Sequence, residues 1–173
     1  KNIIFNFRQN DIKNGGEGAP LTPIFHQLIA NNFKIDLPIC ILNIGGISNI
    51  TIIEKSLGVN SFTSRDIGPG NCLIDSWVRK NSKYKYDKDG ILASTGKRNV
   101  IIFEQAQELF SNRPNKNTLS FDTNDFDVSF ARGLSLEDGA ATLTDFTASI
   151  IGSALFSLLP KASDKSRKVL VCG

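Results

Sequence analysis

The sequence predicts an α/β fold in which helices cover a sheet, and three observations lead to that class. Short apolar runs of strand length, Ile39 to Leu42 and Ile50 to Ile53, come early in the chain. Segments with helical periodicity dominate after them. Glycines mark the strand ends, at Gly45-Gly46 and again at Gly68-Pro69-Gly70. Strands that pass into helices through glycine turns bury both kinds of element against one another.

The elements follow in order. Ile3 to Phe7 is a short apolar run, and Gly15-Gly16-Glu17-Gly18-Ala19-Pro20 is a loop that opens a helix. Pro20 suits the first helical position, where a missing N–H costs no helical bond. Leu21, Ile24, Phe25, Leu28 and Ile29 form the apolar stripe of that helix, and His26 lies off it as a surface or hinge hydrogen-bonder. The stretch from Lys34 to Pro38 ends the helix. Ile39 to Leu42 and Ile50 to Ile53 are then buried neighbouring strands, joined by Asn43-Ile44-Gly45-Gly46-Ile47-Ser48-Asn49. A third strand is expected from Val59 to Arg65. Gly68-Pro69-Gly70 turns the chain into a helix with Asn71 as its cap and Leu73, Ile74, Trp77 and Val78 inside.

Residues 79–97 read as loop, Val100 to Phe110 as a helix, and Asn112 to Asp127 as an Asn- and Asp-rich connection. The longest helix starts after Ser135, which with Asp138 resembles a capping box. Its inner side carries Leu136, Ala140, Leu143, Thr147, Ile150, Ala154 and Leu158, and it ends before Pro160. Lys168 to Cys172 is the last strand.

Composition narrows the function classes. The chain has 173 residues, 40% hydrophobic and 21% charged, which is globular and ample for one core. No uninterrupted apolar run reaches the roughly 18–20 residues a membrane span needs, and Lys1 to Phe5 is no signal peptide, so a cytoplasmic address without membrane partner is expected. The net charge of +3 is scattered. Its densest stretch, Lys80 to Lys88 with Tyr84 and Tyr86, is interrupted by Asp87 and reads as a solvated loop rather than a nucleic-acid patch. Cys40, Cys72 and Cys172 are three widely spaced cysteines in apolar contexts, expected as small buried hydrophobes without disulfides. One histidine and no CxxC exclude a zinc-type cluster. The chain lacks Met, starts at Lys1 and stops at the first glycine after a buried-strand pattern. A piece truncated at both ends of a longer protein is the expectation.

Three motifs carry candidate chemistry. In Asn43 to Asn49 the two glycines let backbone N–H groups approach an anion, and Asn43 and Asn49 add polar groups; a plain hairpin has the same signature. Asp66-Ile67-Gly68-Pro69-Gly70-Asn71 sets a carboxylate at a strand end before a helix start. That suits a general base, or a metal or phosphate contact, and equally a strand-to-helix turn. In Phe7-Arg8-Gln9-Asn10-Asp11, Arg8 can grip a carboxylate and Asp11 a sugar hydroxyl, or the two can form a local ion pair. Glu137 and Asp138 serve the dipole and cap of the long helix.

The order of these motifs resembles the anhydro-N-acetylmuramic acid kinases over nearly the whole chain. The resemblance runs from Phe7 to Ile12 through Gly15 to Leu21 and His26, then Leu42 to Asn49, Asp66 to Asn71, Leu73, Asp75 and Trp77. It continues with Tyr86 to Gly90, Asn124 to Phe126, Leu134 to Leu143 and Val171 to Gly173. It implies an actin-like ATPase (ribonuclease H-like) domain with a mixed sheet and flanking helices, mainly the second such domain. The N-terminal phosphate-loop domain and extreme C-terminus would be absent. The implied reaction takes 1,6-anhydro-N-acetylmuramic acid, ATP, Mg²⁺ and water to N-acetylmuramic acid 6-phosphate in cell-wall recycling. It makes Asp66 the base, Arg8, Asp11, Gly68 and Asn71 sugar contacts, and Asn43, Gly45, Gly46 and Asn49 nucleotide phosphate contacts. No protein-held metal cluster is implied, and a homodimer is the open assembly state. The sequence departs from the family at Asn6, Glu17, Ile67, Leu119 and Thr123, where an acid, Gln, Thr, Lys and Arg are usual. A non-catalytic actin-like binding module and another amino-sugar kinase are the competing functions.

Overall fold

The structure is a computed structural model and describes residues 3, 5–16, 18, 21–55, 61–113, 120–159 and 168–173. Glu17, Ala19, Pro20, Val59, Leu119 and Pro160, each used above, lie outside the described residues. Helices α1 (Phe7–Lys13) and α2 (Pro23–Asn32) precede strands β1 (Ile39–Ile44), β2 (Ile47–Ile53) and β3 (Phe62–Pro69). Then come α3 (Cys72–Asn81), α4 (Ile91–Thr95), α5 (Val100–Ser111), α6 (Leu136–Leu158) and β4 (Lys168–Cys172).

The sheet has the order β3-β2-β1-β4. β1 pairs antiparallel with β2 and β2 with β3, whereas β4 lies parallel to β1. The predicted mixed sheet is therefore present. Both faces are covered at β1 and β2, which accounts for the continuous apolar reading of β1, whereas β4 is mostly exposed, against the buried-strand pattern expected of it. Ile39, Ile41 and Ile53 meet Ala30 of α2 on one face, and Cys40, Leu42, Ile50 and Ile67 meet Ile151 of α6 on the other. A third cluster joins Leu73 and Trp77 of α3, Ala106 and Phe110 of α5, and Ala140, Leu143 and Phe146 of α6.

Helix α6 belongs to two of these clusters. By length and composition it is apolar enough to cross a membrane, which corrects the expectation that no segment qualifies. Its buried positions pack on the sheet and on α3, α4 and α5. Ser135 caps it by accepting the Asp138 N–H (3.1 Å). The Asp138 carboxylate does not complete the predicted box, because Oδ1 accepts the Lys97 N–H (2.7 Å).

Other expectations need correction. The first long helix opens with Pro23 rather than Pro20. Its apolar stripe does not face the core: Ile24, Phe25 and Leu28 are exposed, and His26, Gln27 and Ala30 are buried instead. Polar pairing decides this orientation. His26 Nδ1 meets Thr51 Oγ1 at 2.9 Å, and Gln27 Nε2 donates to Ser61 Oγ, so the helix rests on two hydroxyls of the sheet. β3 runs on to Pro69, past the expected end at Arg65. Residues 79–97 hold the end of α3 and all of α4, and Asp87 accepts the Leu92 and Ala93 N–H groups (2.8 and 2.9 Å) at the start of α4. Cys40 is buried and Cys72 half-buried, but Cys172 is exposed, and all three are free thiols.

Candidate functional site

One end of the sheet gathers the predicted residues. β1 and β4 finish there, β2 begins there and β3 arrives there, so Gly45, Gly46, Gly70 and Gly173 all sit beyond strand ends. Ligands of α/β sheets bind at such carboxyl ends. One residue inward, the register forms a row across all four strands: Cys172 beside Asn43, Asn43 beside Asn49, and Asn49 beside Asp66. Asn43 and Asn49 of one sequence motif and Asp66 of another thus become neighbours. The Cys172 thiol approaches Asn43 Oδ1 at 3.8 Å.

A β-bulge aims the end of that row. Ser48 pairs with Gly68 and Asn49 with Asp66, so Ile67 is an extra residue on β3. Bulges bend a strand and redirect the side chains beside them. Ile67 is thereby buried against α6, while Asp66 stays half-buried in a cleft of about 530 Å³ between β3, α5 and α6. Asp66 is inside the strand, not at its end as expected. Its Oδ2 accepts the Phe121 N–H at 2.9 Å.

The glycine turn and the start of α3 are bonded to each other. The Gly46 carbonyl accepts the Gly70 and Cys72 N–H groups (2.9 and 3.2 Å), and the Gly45 carbonyl accepts that of Asn71 (2.8 Å). Asn71 holds the cap position without a side-chain cap bond, because these carbonyls already serve the helix start. The three N–H groups that a phosphate would seek there are occupied. A Cβ on Gly70 would stand 2.1 Å from the Gly45 oxygen, so only glycine permits this approach. Gly68 is required for packing, since a Cβ would lie 2.6 Å from Ile150 Cγ2.

Arg8 and Asp11 stand apart. Neither joins the row by a hydrogen bond or ion pair among the described residues, and no ion pair links them to each other. Asp11 Oδ2 accepts the Gly18 N–H (2.8 Å) and so folds the glycine loop over the end of α1. Arg8 is exposed.

Two features were missed by sequence reasoning. A cavity of about 810 Å³ opens between α3, α4 and α6, with Asn71, Asp75, Tyr86, Arg98 and Asp145 on its wall. Burial pushes the Asp75 carboxyl above its usual range, against the pull of Arg79, and Arg98 pairs with Asp145 at 3.5 Å. The second is the loop 120–126 over Asp66. Beyond the resemblance at Asn124 to Phe126, its sequence signal is Asp122 and Asp125, which close a capping box: Asp122 Oδ1 accepts from Asn124 N–H (2.9 Å) and Asp125 Oδ2 from Asp122 N–H (2.6 Å).

Oxygen donors suited to a hard cation are also present. Asn49 Oδ1 is buried without a partner, next in register to Asp66. No cluster of three or more His, Cys, Asp or Glu side chains occurs among the described residues. That donor set fits Mg²⁺, which keeps its waters and relies on one or two protein oxygens plus phosphates.

A mixed sheet covered on both faces, with glycine turns gathered at one end, is the architecture of the sugar-kinase and actin-like ATPase class. Within that class the chain belongs to the anhydro-N-acetylmuramic acid kinase family, whose model matches residues 2–173. The anhydro-N-acetylmuramic acid kinase of Pelagibacter ubique is 49% identical over 173 residues, covering 100% of this chain and 46% of that protein. Its counterpart from Zymomonas mobilis is 38% identical over 99% of the chain and 44% of the relative. That from Rhodopseudomonas palustris is 40% identical over 92% and 42%. The chain spans under half the length of these relatives.

Proposed function

We propose that the full-length protein containing this chain is an ATP-dependent kinase that opens and phosphorylates 1,6-anhydro-N-acetylmuramic acid. The observation that carries the reading is the row Asn43, Asn49 and Asp66 beneath the glycine turns, in a chain of this family. It combines a carboxylate, amide groups and close-approach backbone at one sheet end. The chain contributes mainly the second actin-like domain, and the first domain supplies the other wall of the cleft.

Asp66 accepts a proton from water as the water oxygen attacks C1 of the sugar. The C1–O6 bond breaks, and O6 takes the γ-phosphoryl group of ATP to leave ADP and N-acetylmuramic acid 6-phosphate. A base for this step must be ionised and within hydrogen-bond reach of its water. Phosphoryl transfer otherwise depends on placement and charge neutralisation. Asn43, Gly45, Gly46 and Asn49 face the phosphates in this reading. Mg²⁺, when bound with the nucleotide, would neutralise phosphate charge, and the buried Asn49 Oδ1 is the oxygen of this chain that would face it. Arg8, Asp11, Gly68 and Asn71 are assigned to the sugar. Asn71 has the best support, being on the wall of the large cavity. The protein acts in the cytoplasm, in recycling of the cell wall, and a homodimer is the assembly to test by light scattering.

Mass spectrometry of the product tests the reading. Full-length protein, anhydro sugar, ATP and Mg²⁺ should yield a species heavier than the substrate by one water and one phosphoryl group. Phosphorylation of only the open sugar would indicate another amino-sugar kinase. ATP binding without any phosphorylated product would indicate a non-catalytic module.

A further inference from the structure

Loop 120–126 is anchored by a residue outside every motif described above. We propose that Arg113 is a positioning residue for Asp66 that acts through this loop, an inference that rests on Asp66 being the base. Arg113 follows the C-terminal end of α5 and is half-buried. Its guanidinium carbon lies 4.6 Å from the ring centroid of Phe126 and 5.6 Å from that of Phe110. It also donates to the Asp125 carbonyl. A planar, delocalised cation can stack on rings and donate in its plane at the same time, and an ammonium cannot.

The contacts continue to the carboxylate. The Phe110 and Phe126 rings are stacked at 6.4 Å, and Phe121 completes the triangle at 6.4 Å from Phe110 and 5.4 Å from Phe126. The ring of Phe121 is therefore seated on the two rings that Arg113 covers. The backbone N–H of the same Phe121 is the donor to Asp66 Oδ2. A donor fixed on one carboxylate oxygen sets the plane of the group, and so the direction in which the other oxygen faces. The loop reaches the glycine turn as well, because Thr123 Cγ2 lies 3.2 Å from where a Cβ of Gly46 would stand. One loop thus abuts both the base and the phosphate turn. Arg113 forms no ion pair among the described residues, so its contacts are rings and a carbonyl, which impose geometry.

The experiment compares Arg113→Ala, Arg113→Lys and Asp66→Asn in the full-length protein. It reads kcat, KM for the anhydro sugar, thermal melting, and the Phe121 amide resonance in ¹⁵N-phenylalanine-labelled protein. Arg113→Ala should lower kcat by about ten- to a hundred-fold, the scale of an ångström-size misplacement. KM should stay within about two-fold, since uniform substrate binding is untouched. The Phe121 amide should move, and Arg113→Lys should restore little, having charge without the planar fork. A purely structural role would lower the melting temperature with kcat and the amide unchanged, and that result overturns the proposal. Should Arg113→Ala fail to fold, Arg113→Lys decides: wild-type kcat with an unmoved amide overturns the proposal. An active Asp66→Asn would sink the base assignment and this inference with it. An inactive Asp66→Asn beside a fully active Arg113→Ala would sink this inference alone.

Discussion

The backbone N–H of Phe121 donates to Oδ2 of Asp66 across a separation of 55 residues. This bond ties the Asn- and Asp-rich connection after α5 to the bulged edge strand, and it gives that connection a task beyond linking two helices.

Asp66→Asn in the full-length protein should abolish turnover with little effect on folding. The amide keeps an acceptor oxygen for the Phe121 N–H but takes up no proton at neutral pH. Loss of a general base costs about 10²–10⁴ in rate. A turnover assay beside a thermal melt checks this. Activity within a few-fold of wild type would remove Asp66 from the catalytic role.

Gly46→Val should weaken nucleotide binding more than folding. The residue is exposed, and its new branched side chain would press on Thr123 Cγ2 and occupy space at the turn proposed to meet phosphate. Calorimetry with a non-hydrolysable ATP analogue measures the effect. Unchanged affinity in a folded variant would leave the turn a simple hairpin.

Two glycines of α6 should respond to alanine with opposite signs. Ala normally improves a helix interior by about 0.5–1 kcal/mol over Gly. Nothing lies within 4 Å of a Cβ on exposed Gly152, so Gly152→Ala should stabilise by that order. A Cβ on Gly139 would stand 2.2 Å from the Trp77 ring, so Gly139→Ala should destabilise by about 1–3 kcal/mol through overpacking. Urea melts followed by the fluorescence of Trp77, the only tryptophan, read both.

Stability should fall on mild acidification because of His26. Burial lowers its pKa below the usual 6.5, so the folded state holds it neutral. The unfolded chain therefore binds its proton first. The contribution is complete above about pH 6.5 and is lost as pH falls toward the folded value, at no more than roughly 1.4 kcal/mol per pH unit. Urea midpoints between pH 7.5 and 5.5 should decline for the wild type. They should decline less for His26→Gln; equal declines would exclude His26 as the source.

Local chemistry made much of this protein readable in advance. The strands at Ile39 and Ile50 are continuous apolar runs because both sheet faces are covered. The long helix after Ser135 has its inner positions at helical spacing, with Ala140, Leu143, Thr147 and Ile150 buried as expected. Asn43, Gly45, Gly46, Asn49 and Asp66 stood out because glycine turns and polar groups at strand ends are rare inside apolar sequence. Tertiary packing decided what periodicity could not. Which face of α2 turns inward depends on hydroxyls of Thr51 and Ser61, 25 and 34 residues away from their partners, so the apolar stripe stayed outside. The row from Cys172 to Asp66 depends on strand register, and its aim on a bulge that no residue pattern announces. The Arg113–Phe126 stack and the Phe121–Asp66 bond join distant segments. Such contacts form only when long-range packing brings the partners together, and the residue types alone do not specify the pairing.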